Sequence, residues 1–341
     1  MSQSSPATAP VLVAGPSWVG DMVMAQSLFK VLKARRPDAP VDVLAPGWCA
    51  PIVMRMPEVR ACIESPFAHG EFHWSARRAL GVALRERGYG RAIVIPRSFK
   101  AALVPFHARI PRRTGYRGEM RFGLINDMRG LDKAALPTTV SRYVALAGDS
   151  GEAPADAPPP ALRVDCEAQQ KLCADLGLST ERPVVALMPG AEYGPAKQWP
   201  AEHFGALAKA LDDAGFDSWV FGSAGEAPIG EEIAAASPSG TTNLCGKTKL
   251  TDVVDLIALC RVAVSNDSGL MHVAAATGRH VVALYGSSSP EFTPPLTPHA
   301  TVLKLDLECS PCFARTCRFD HYKCLRDISA QQVLSAVRDA A

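Results

Sequence analysis

Short β-branched runs alternate with amphipathic stretches along this chain, and the alternation starts twice. In the first half, strands are expected over 11–14, 41–45 and 91–95, with helices over 22–33 and 74–86. In the 22–33 stretch Val23, Leu28, Val31 and Leu32 share one side, while Lys30 and Lys33 lie elsewhere, as helical spacing requires. The second half gives strands over 184–188, 218–221, 262–264 and 281–285, and helices over 201–214, 226–236, 250–259, 270–277 and 330–340. Strands separated by helices imply parallel sheets with right-handed crossovers. Between the halves, 149–160 reads Asp-Ser-Gly-Glu-Ala-Pro-Ala-Asp-Ala-Pro-Pro-Pro, a proline-stiffened linker with almost no core formers. With 341 residues the chain is too long for one comfortable core. Two Rossmann-like α/β domains are therefore expected, 1–155 and 156–341, with the last helix free to pack back on the first.

Composition narrows the function classes. A net charge of +2 points to no global affinity for nucleic acid. No apolar run approaches the ~18 residues that span a bilayer, and the N-terminal segment has neither a basic nor an apolar signal region. A cytoplasmic protein is the expectation. Cys49, Cys62, Cys166, Cys173, Cys245 and Cys260 are scattered singly and read as small buried hydrophobes.

Ligands of open parallel sheets sit off the carboxyl ends of the strands, so the residues after each strand deserve the closest reading. After the first strand comes Gly15-Pro16-Ser17-Trp18-Val19-Gly20-Asp21. Its glycines allow a tight strand-to-helix turn, but Ser17 stands where the dinucleotide fingerprint needs glycine. Asp21 is either a carboxylate favoured by a helix N-terminus or a general base at the mouth of a cleft. After the strand at 184–188, Pro189-Gly190-Ala191-Glu192-Tyr193-Gly194-Pro195-Ala196-Lys197-Gln198-Trp199-Pro200 forms a loop of fixed shape. Lys197 there is a solvated charge or a phosphate-binding cation. Phe221-Gly222-Ser223-Ala224-Gly225-Glu226 offers Glu226 as a ribose partner or as a plain helix-terminal charge. Ser265-Asn266-Asp267-Ser268-Gly269-Leu270-Met271-His272 opens a helix whose first amides can receive an anion, with Ser268 able to cap them.

Two further clusters stand out. Arg109, Arg112, Arg113, Arg117 and Arg121 surround Tyr116 with only Glu119 opposing. They suit an anionic ligand, an acidic membrane face, or simple solvation. Cys309, Cys312, Cys317 and Cys324, with His321 among them, have gaps of two, four and six residues. They could hold a structural zinc or remain free thiols.

Taken in order, the Gly-x-Ser-x-x-Gly-Asp opening, the Pro-Gly-Ala-Glu-Tyr-Gly-Pro-Ala-Lys-Gln-Trp-Pro loop and Asn-Asp-Ser-Gly-Leu-Met-His resemble the ADP-heptose:lipopolysaccharide heptosyltransferases. The stretches 126–129 (Asn-Asp-Met-Arg) and 283–295 fit as well. The resemblance covers nearly the whole chain. It implies a GT-B fold, with the acceptor on the N-terminal half, ADP-heptose on the C-terminal half, inverting chemistry, and no metal or other cofactor for catalysis. It implies Asp21 as base and Lys197 on the diphosphate. Glu192, Tyr193, Glu226, Thr248, Asp267, Ser268, Gly269 and His272 would complete the donor site. Ser17, Trp18, Arg97, Lys100, Arg112, Arg113, Arg117 and Arg121 would meet the acceptor, a heptosyl-Kdo-lipid A at the inner membrane face. Rival readings are heptosyl transfer to a different core acceptor, a GT-B sugar-nucleotide epimerase, and a non-catalytic binding protein.

Overall fold

The computed structural model describes residues 8–67, 71–148 and 156–341. The chain divides into two compact units, Met1–Pro160 and Ala161–Ala341. Of the stretch read as a linker, residues 149–155 lie outside the described residues.

The first unit contains six strands: β1 (Val11–Ala14), β2 (Val41–Pro46), β3 (Val59–Ser65), β4 (Arg91–Val94), β5 (Arg112–Tyr116) and β6 (Asp127–Arg129). They pair in parallel in the order β3-β2-β1-β4-β5-β6. The second unit repeats the design with β7 (Val184–Met188), β8 (Asp217–Val220), β9 (Thr241–Asn243), β10 (Val262–Asn266), β11 (His280–Tyr285) and β12 (Ala300–Lys304). Its order is β12-β11-β10-β7-β8-β9, again parallel throughout. Each unit thus runs 3-2-1-4-5-6 in its own strand count, the doubly wound order, which reverses between the first and fourth strands. The crevices lie where β1 meets β4 and where β7 meets β10. The central strands β1, β7 and β10 are buried along their whole length, because helices cover both faces.

Five strands escape the sequence reading: β3, β5, β6, β9 and β12. β5 and β6 read as charged surface because their arginines and Asp127 alternate with few apolar residues. They form an edge held as much by ion pairs as by apolar burial. The helix expected over 74–86 changes pitch: Trp74–Ala83 is α-helical, Leu84–Arg87 is a 3₁₀ turn, and Gly88 closes it at φ 63°. In the last helix, Ala330–Ala340, Val333, Leu334 and Val337 share a core with Phe204, Leu211, Val262 and Val282, all of the second unit.

Candidate active site

The crevice of the second unit is built by two loops that grip each other. Asn266, the last residue of β10, accepts from the Trp199 amide at 3.0 Å and donates to the Pro189 carbonyl at 2.6 Å. One buried side chain thereby ties both ends of the 189–199 loop to the neighbouring strand. Trp199 locks the far end by donating its indole N–H to the Ile328 carbonyl at 2.8 Å. The loop's cation is then fixed: Lys197 Nζ lies 2.6 Å from Asp267 Oδ2. The two side chains are only 18% and 4% exposed, so neither charge has water enough to stand alone.

Other groups converge on the same edge. Gly190 leaves room for the Glu226 carboxylate, since a Cβ there would sit 1.7 Å from Glu226 Oε1. Glu226 also accepts from the Ser223 amide at 2.6 Å and the Ser223 hydroxyl at 2.9 Å, a capping box that orients it. The helix Gly269–Ala276 opens beside Asp267. Ser268 occupies its N-cap position but makes no capping bond through its side chain, contrary to expectation. Its hydroxyl lies 3.4 Å from that of Ser265 instead. His272 is buried, and its pKa is pushed down to about 4 by burial, with the Lys197 charge acting in the same direction against Asp267. It is therefore a neutral imidazole at neutral pH. Its Nδ1 has no hydrogen-bond partner, nor do the buried hydroxyls of Thr248, Ser287 and Ser288. These four residues follow or adjoin the carboxyl ends of β9, β10 and β11, where a polar ligand would satisfy them.

The cysteine-rich segment braces this loop. The Arg315 carbonyl accepts from the Ala196 amide at 3.0 Å, and the Phe313 carbonyl accepts from the Tyr193 hydroxyl at 2.8 Å. Phe313 in turn donates its amide to the Ser287 carbonyl at 2.6 Å. Gly194, at φ 150°, must lack a side chain because a Cβ would stand 2.6 Å from the Arg315 carbonyl. The Tyr193 ring lies 5.1 Å from Lys197 Nζ and 5.2 Å from the Arg315 guanidinium carbon, so two cations share one aromatic face region. Cys309, Cys312, Cys317 and Cys324 are free thiols around a cavity of about 20 Å³. Backbone amides of residues 319–322 hold the Cys317 thiol below its ordinary pKa, whereas burial and the neighbouring thiols raise that of Cys324. Among the described residues no three Cys, His, Asp or Glu side chains stand arranged as a metal cage.

In the first unit, the helix Val19–Arg35 opens at the end of β1 with Trp18 as N-cap, and Asp21 sits half-buried in its first turn. Asp21's charge adds to burial, the larger cause, in raising the Cys49 thiol to about 12. The Ser17 carbonyl accepts from the Trp48 indole at 2.8 Å, which pins the loop. Trp18, Arg97 and Arg117 are exposed, and Lys100 is half-buried. Gly118 packs so tightly on Arg97 that a Cβ would meet its carbonyl at 2.2 Å.

Three arginines expected at the acceptor are committed to the protein itself. Arg112 pairs with Asp127 at 3.0 Å, reaching from β5 to β6 diagonally, since Asp127 stands opposite Thr114 in the register. Arg113 donates to the carbonyls of Leu124 at 2.6 Å, Gly123 at 3.2 Å and Ile110 at 2.5 Å. Arg121 is wholly buried and donates to Pro96, Ser98 and Tyr116 carbonyls at 2.6–3.3 Å. The fork-shaped donor sets of Arg113 and Arg121 each satisfy several carbonyls at once.

Comparison with known proteins agrees with this architecture. Residues 77–323 match the family model of glycosyltransferase family 9 (heptosyltransferase). The chain belongs to glycosyltransferase family 9. It is 51% identical to lipopolysaccharide heptosyltransferase 2 of Salmonella typhimurium over 95% of this chain and 96% of that protein. It is 48% identical to lipooligosaccharide heptosyltransferase 2 of Haemophilus influenzae over 86% and 88% of the two chains. The solved structure of E. coli ADP-heptose lps heptosyltransferase II superposes with a TM-score of 0.87 at 46% identity, covering 97% of this chain and 98% of that one. The two parallel sheets are accordingly those of a GT-B glycosyltransferase.

Within this family 9 heptosyltransferase, the structure brings together Lys197, Asp267, Ser268, Gly269 and His272 at one crevice, with Glu226 on the adjoining β8 loop. Glu192 stands exposed on the same loop as Lys197. The bracing residues Phe313 and Arg315, and the buried hydroxyls of Ser287 and Ser288, were missed by sequence reasoning. Only the cysteine spacing marked 309–324 as special, and it carried no hint of which loop the segment would touch.

Proposed function

We propose that this heptosyltransferase moves heptose from ADP-heptose to the first heptose of a Kdo–lipid A inner core, with inversion at the anomeric carbon. The observation that carries the donor half of this reading is the Lys197–Asp267 pair, largely withdrawn from water, beside a helix N-terminus at the β7/β10 switch point. The acceptor is inferred from the relatives at about half identity, which are named heptosyltransferase 2.

In this reading the acceptor hydroxyl attacks from the face opposite ADP while Asp21 takes its proton. Charge grows on the leaving diphosphate, where Lys197 and the first amides of Gly269–Ala276 stabilise it. Asp267 holds the Lys197 ammonium in position until the diphosphate shares it. Neutral His272 can then donate or accept a hydrogen bond without adding charge. Glu226, oriented by its capping box, suits a ribose diol. Trp18, Arg97, Lys100 and Arg117 are the acceptor-side candidates of the first unit. The enzyme would work on the cytoplasmic side, in peripheral contact with the membrane that presents its lipid-linked acceptor.

ADP release from ADP-heptose tests this directly. Release that requires an acceptor bearing one heptose, with product heavier by one heptose, is the expected outcome. Release with heptose-free Kdo–lipid A instead would transfer the reading to the first heptosylation.

A further inference from the structure

One face of the first unit carries rings and cations that the reaction does not use. The helix Trp74–Ala83 and its 3₁₀ extension Leu84–Arg87 pack on the short helix Leu103–His107. Contact is close at Gly81, where a Cβ would meet His107 Cβ at 2.6 Å and the Val104 carbonyl at 2.7 Å. Arg85 Nε fastens the pair by donating to the His107 carbonyl at 2.9 Å. The outward side of this rigid pair is lined by an unbroken series of rings. Phe99 stacks with Phe72 at 6.4 Å, Phe72 with Trp74 at 6.1 Å, Trp74 meets His107 at 5.5 Å, and His107 meets Phe106 at 5.3 Å. Phe72, Trp74 and Phe106 are 49%, 46% and 38% exposed, and Val82 on the same helix is 38% exposed. Phe99 also ties this series to the loop bearing Met120 and Phe122, through its amide bond to Glu119 at 2.7 Å. Those two side chains are 83% and 66% exposed.

Beside the rings lies an open cavity of about 460 Å³ bounded by Arg78, Arg85, Phe106, His107, Arg109 and Arg113. Its lining holds four arginines and no acid. Burial and the charges of Arg78 and Arg85 lower the pKa of His107, so the positive field comes from arginine and persists across physiological pH. The acids nearby are Glu71, which faces His73 at 3.1 Å, and Glu86 on the 3₁₀ turn. Arg85 and Arg109 precede β4 and β5, so the cavity lies toward the amino ends of the strands. The Asp21 loop follows β1 at the carboxyl end, so the arginine cavity lies apart from it, while the rings run from the cavity to Phe99, which follows β4. An exposed hydrophobic patch of this kind marks an interaction site rather than an ordinary monomer surface. Aromatic side chains interleaved with arginine match the interface of an anionic bilayer, where rings enter the headgroup zone and guanidiniums meet phosphates.

We infer that the face formed by Phe72, Trp74, Phe106, Arg78 and Arg109 docks this enzyme on an anionic phospholipid surface. Charge complementarity decides the occupant: a second copy of this chain would set these arginines against one another. The inference is independent of the sugar chemistry, because it concerns adsorption in the absence of any substrate. Among the described residues no helix is long and apolar enough to cross a membrane, so attachment here is by surface contact.

The test is co-sedimentation of the full chain with vesicles of phosphatidylglycerol and phosphatidylethanolamine, against vesicles of phosphatidylcholine alone, in low and high salt. Binding to the anionic vesicles, weakened by salt and at least about tenfold stronger than to the neutral ones, is expected. Arg78→Glu combined with Phe106→Ser should lower that binding by about tenfold or more. The variant should keep the wild-type unfolding midpoint and wild-type turnover of a detergent-dispersed acceptor. Arg318→Glu, an equal charge change in the second unit, should bind as wild type. Equal binding to both vesicle types, no binding to either, or an undiminished Arg78→Glu/Phe106→Ser variant would overturn the inference. The inference rests on the peripheral membrane contact proposed above and fails with it; heptosyl transfer from ADP-heptose survives all three results and fails separately, by the ADP-release assay.

Discussion

At the residue scale the proposed mechanism assigns the base, Asp21, to the first unit and the cation, Lys197, to the second. Asp21→Asn keeps the size and most hydrogen-bonding capacity of the side chain and removes its basicity. Turnover should fall by about 10²–10⁴-fold with donor affinity unchanged, as read by steady-state ADP release and by donor titration. Near-normal turnover would assign the base elsewhere. Lys197→Ala removes the cation proposed to meet the diphosphate and also strands Asp267, which is 4% exposed. Stability should drop by roughly 2–4 kcal/mol, less than for a fully buried pair because Lys197 keeps some solvent. Lys197→Met with Asp267→Leu should recover much of that stability while donor binding stays lost. Denaturant unfolding and donor titration of both variants separate the structural role of the pair from its ligand role.

At the scale of elements, glycine positions show where two segments must touch. Gly81→Ala drives a methyl into the Val104 carbonyl and His107 Cβ, both under 3 Å away. Neither neighbour is a flexible chain end, so the helix pair must part, at about 1–3 kcal/mol in urea-derived stability. A wild-type midpoint would show that the pair is looser than its geometry. The strand–helix alternation made the buried strands legible, because β1, β7, residues 262–264 of β10 and residues 281–285 of β11 are buried apolar runs. β5 and β6 were not legible. Arg112, Arg113 and Asp127 look like solvated charges in sequence, and only the parallel register that sets Thr114 opposite Asp127 turns them into an edge. Within the arginine cluster, Arg113 and Arg121 donate to carbonyls that sequence cannot place beside them.

At the scale of the molecule, the buried neutral His272 couples the donor crevice to global stability. In the unfolded chain a histidine takes its proton near 6.5; in the folded protein His272 does so only near 4. Between those values the unfolded state binds more protons, so stability falls as pH drops through the window and is unaffected above it. About 2 kcal/mol should be lost between pH 7 and pH 5 from this group. Urea unfolding at the two pH values, with His272→Gln as reference, checks it. An equal loss in the variant would assign the acid sensitivity to other groups.

Local patterns in the chain are enough for the α/β class, the doubling of the alternation, and the loops that carry Asp21, Lys197, Glu226 and Asp267. They suffice because hydrophobic period and glycine-rich strand ends are local signals. Tertiary structure alone decided that Lys197 closes on Asp267, seventy residues away. It alone decided that Arg121 is buried, that Phe313 and Arg315 brace the donor loop, and that the last helix belongs to the second core. Each of these depends on which carbonyls, charges and apolar faces are left without partners once the sheets are assembled, and no local window of sequence contains that information.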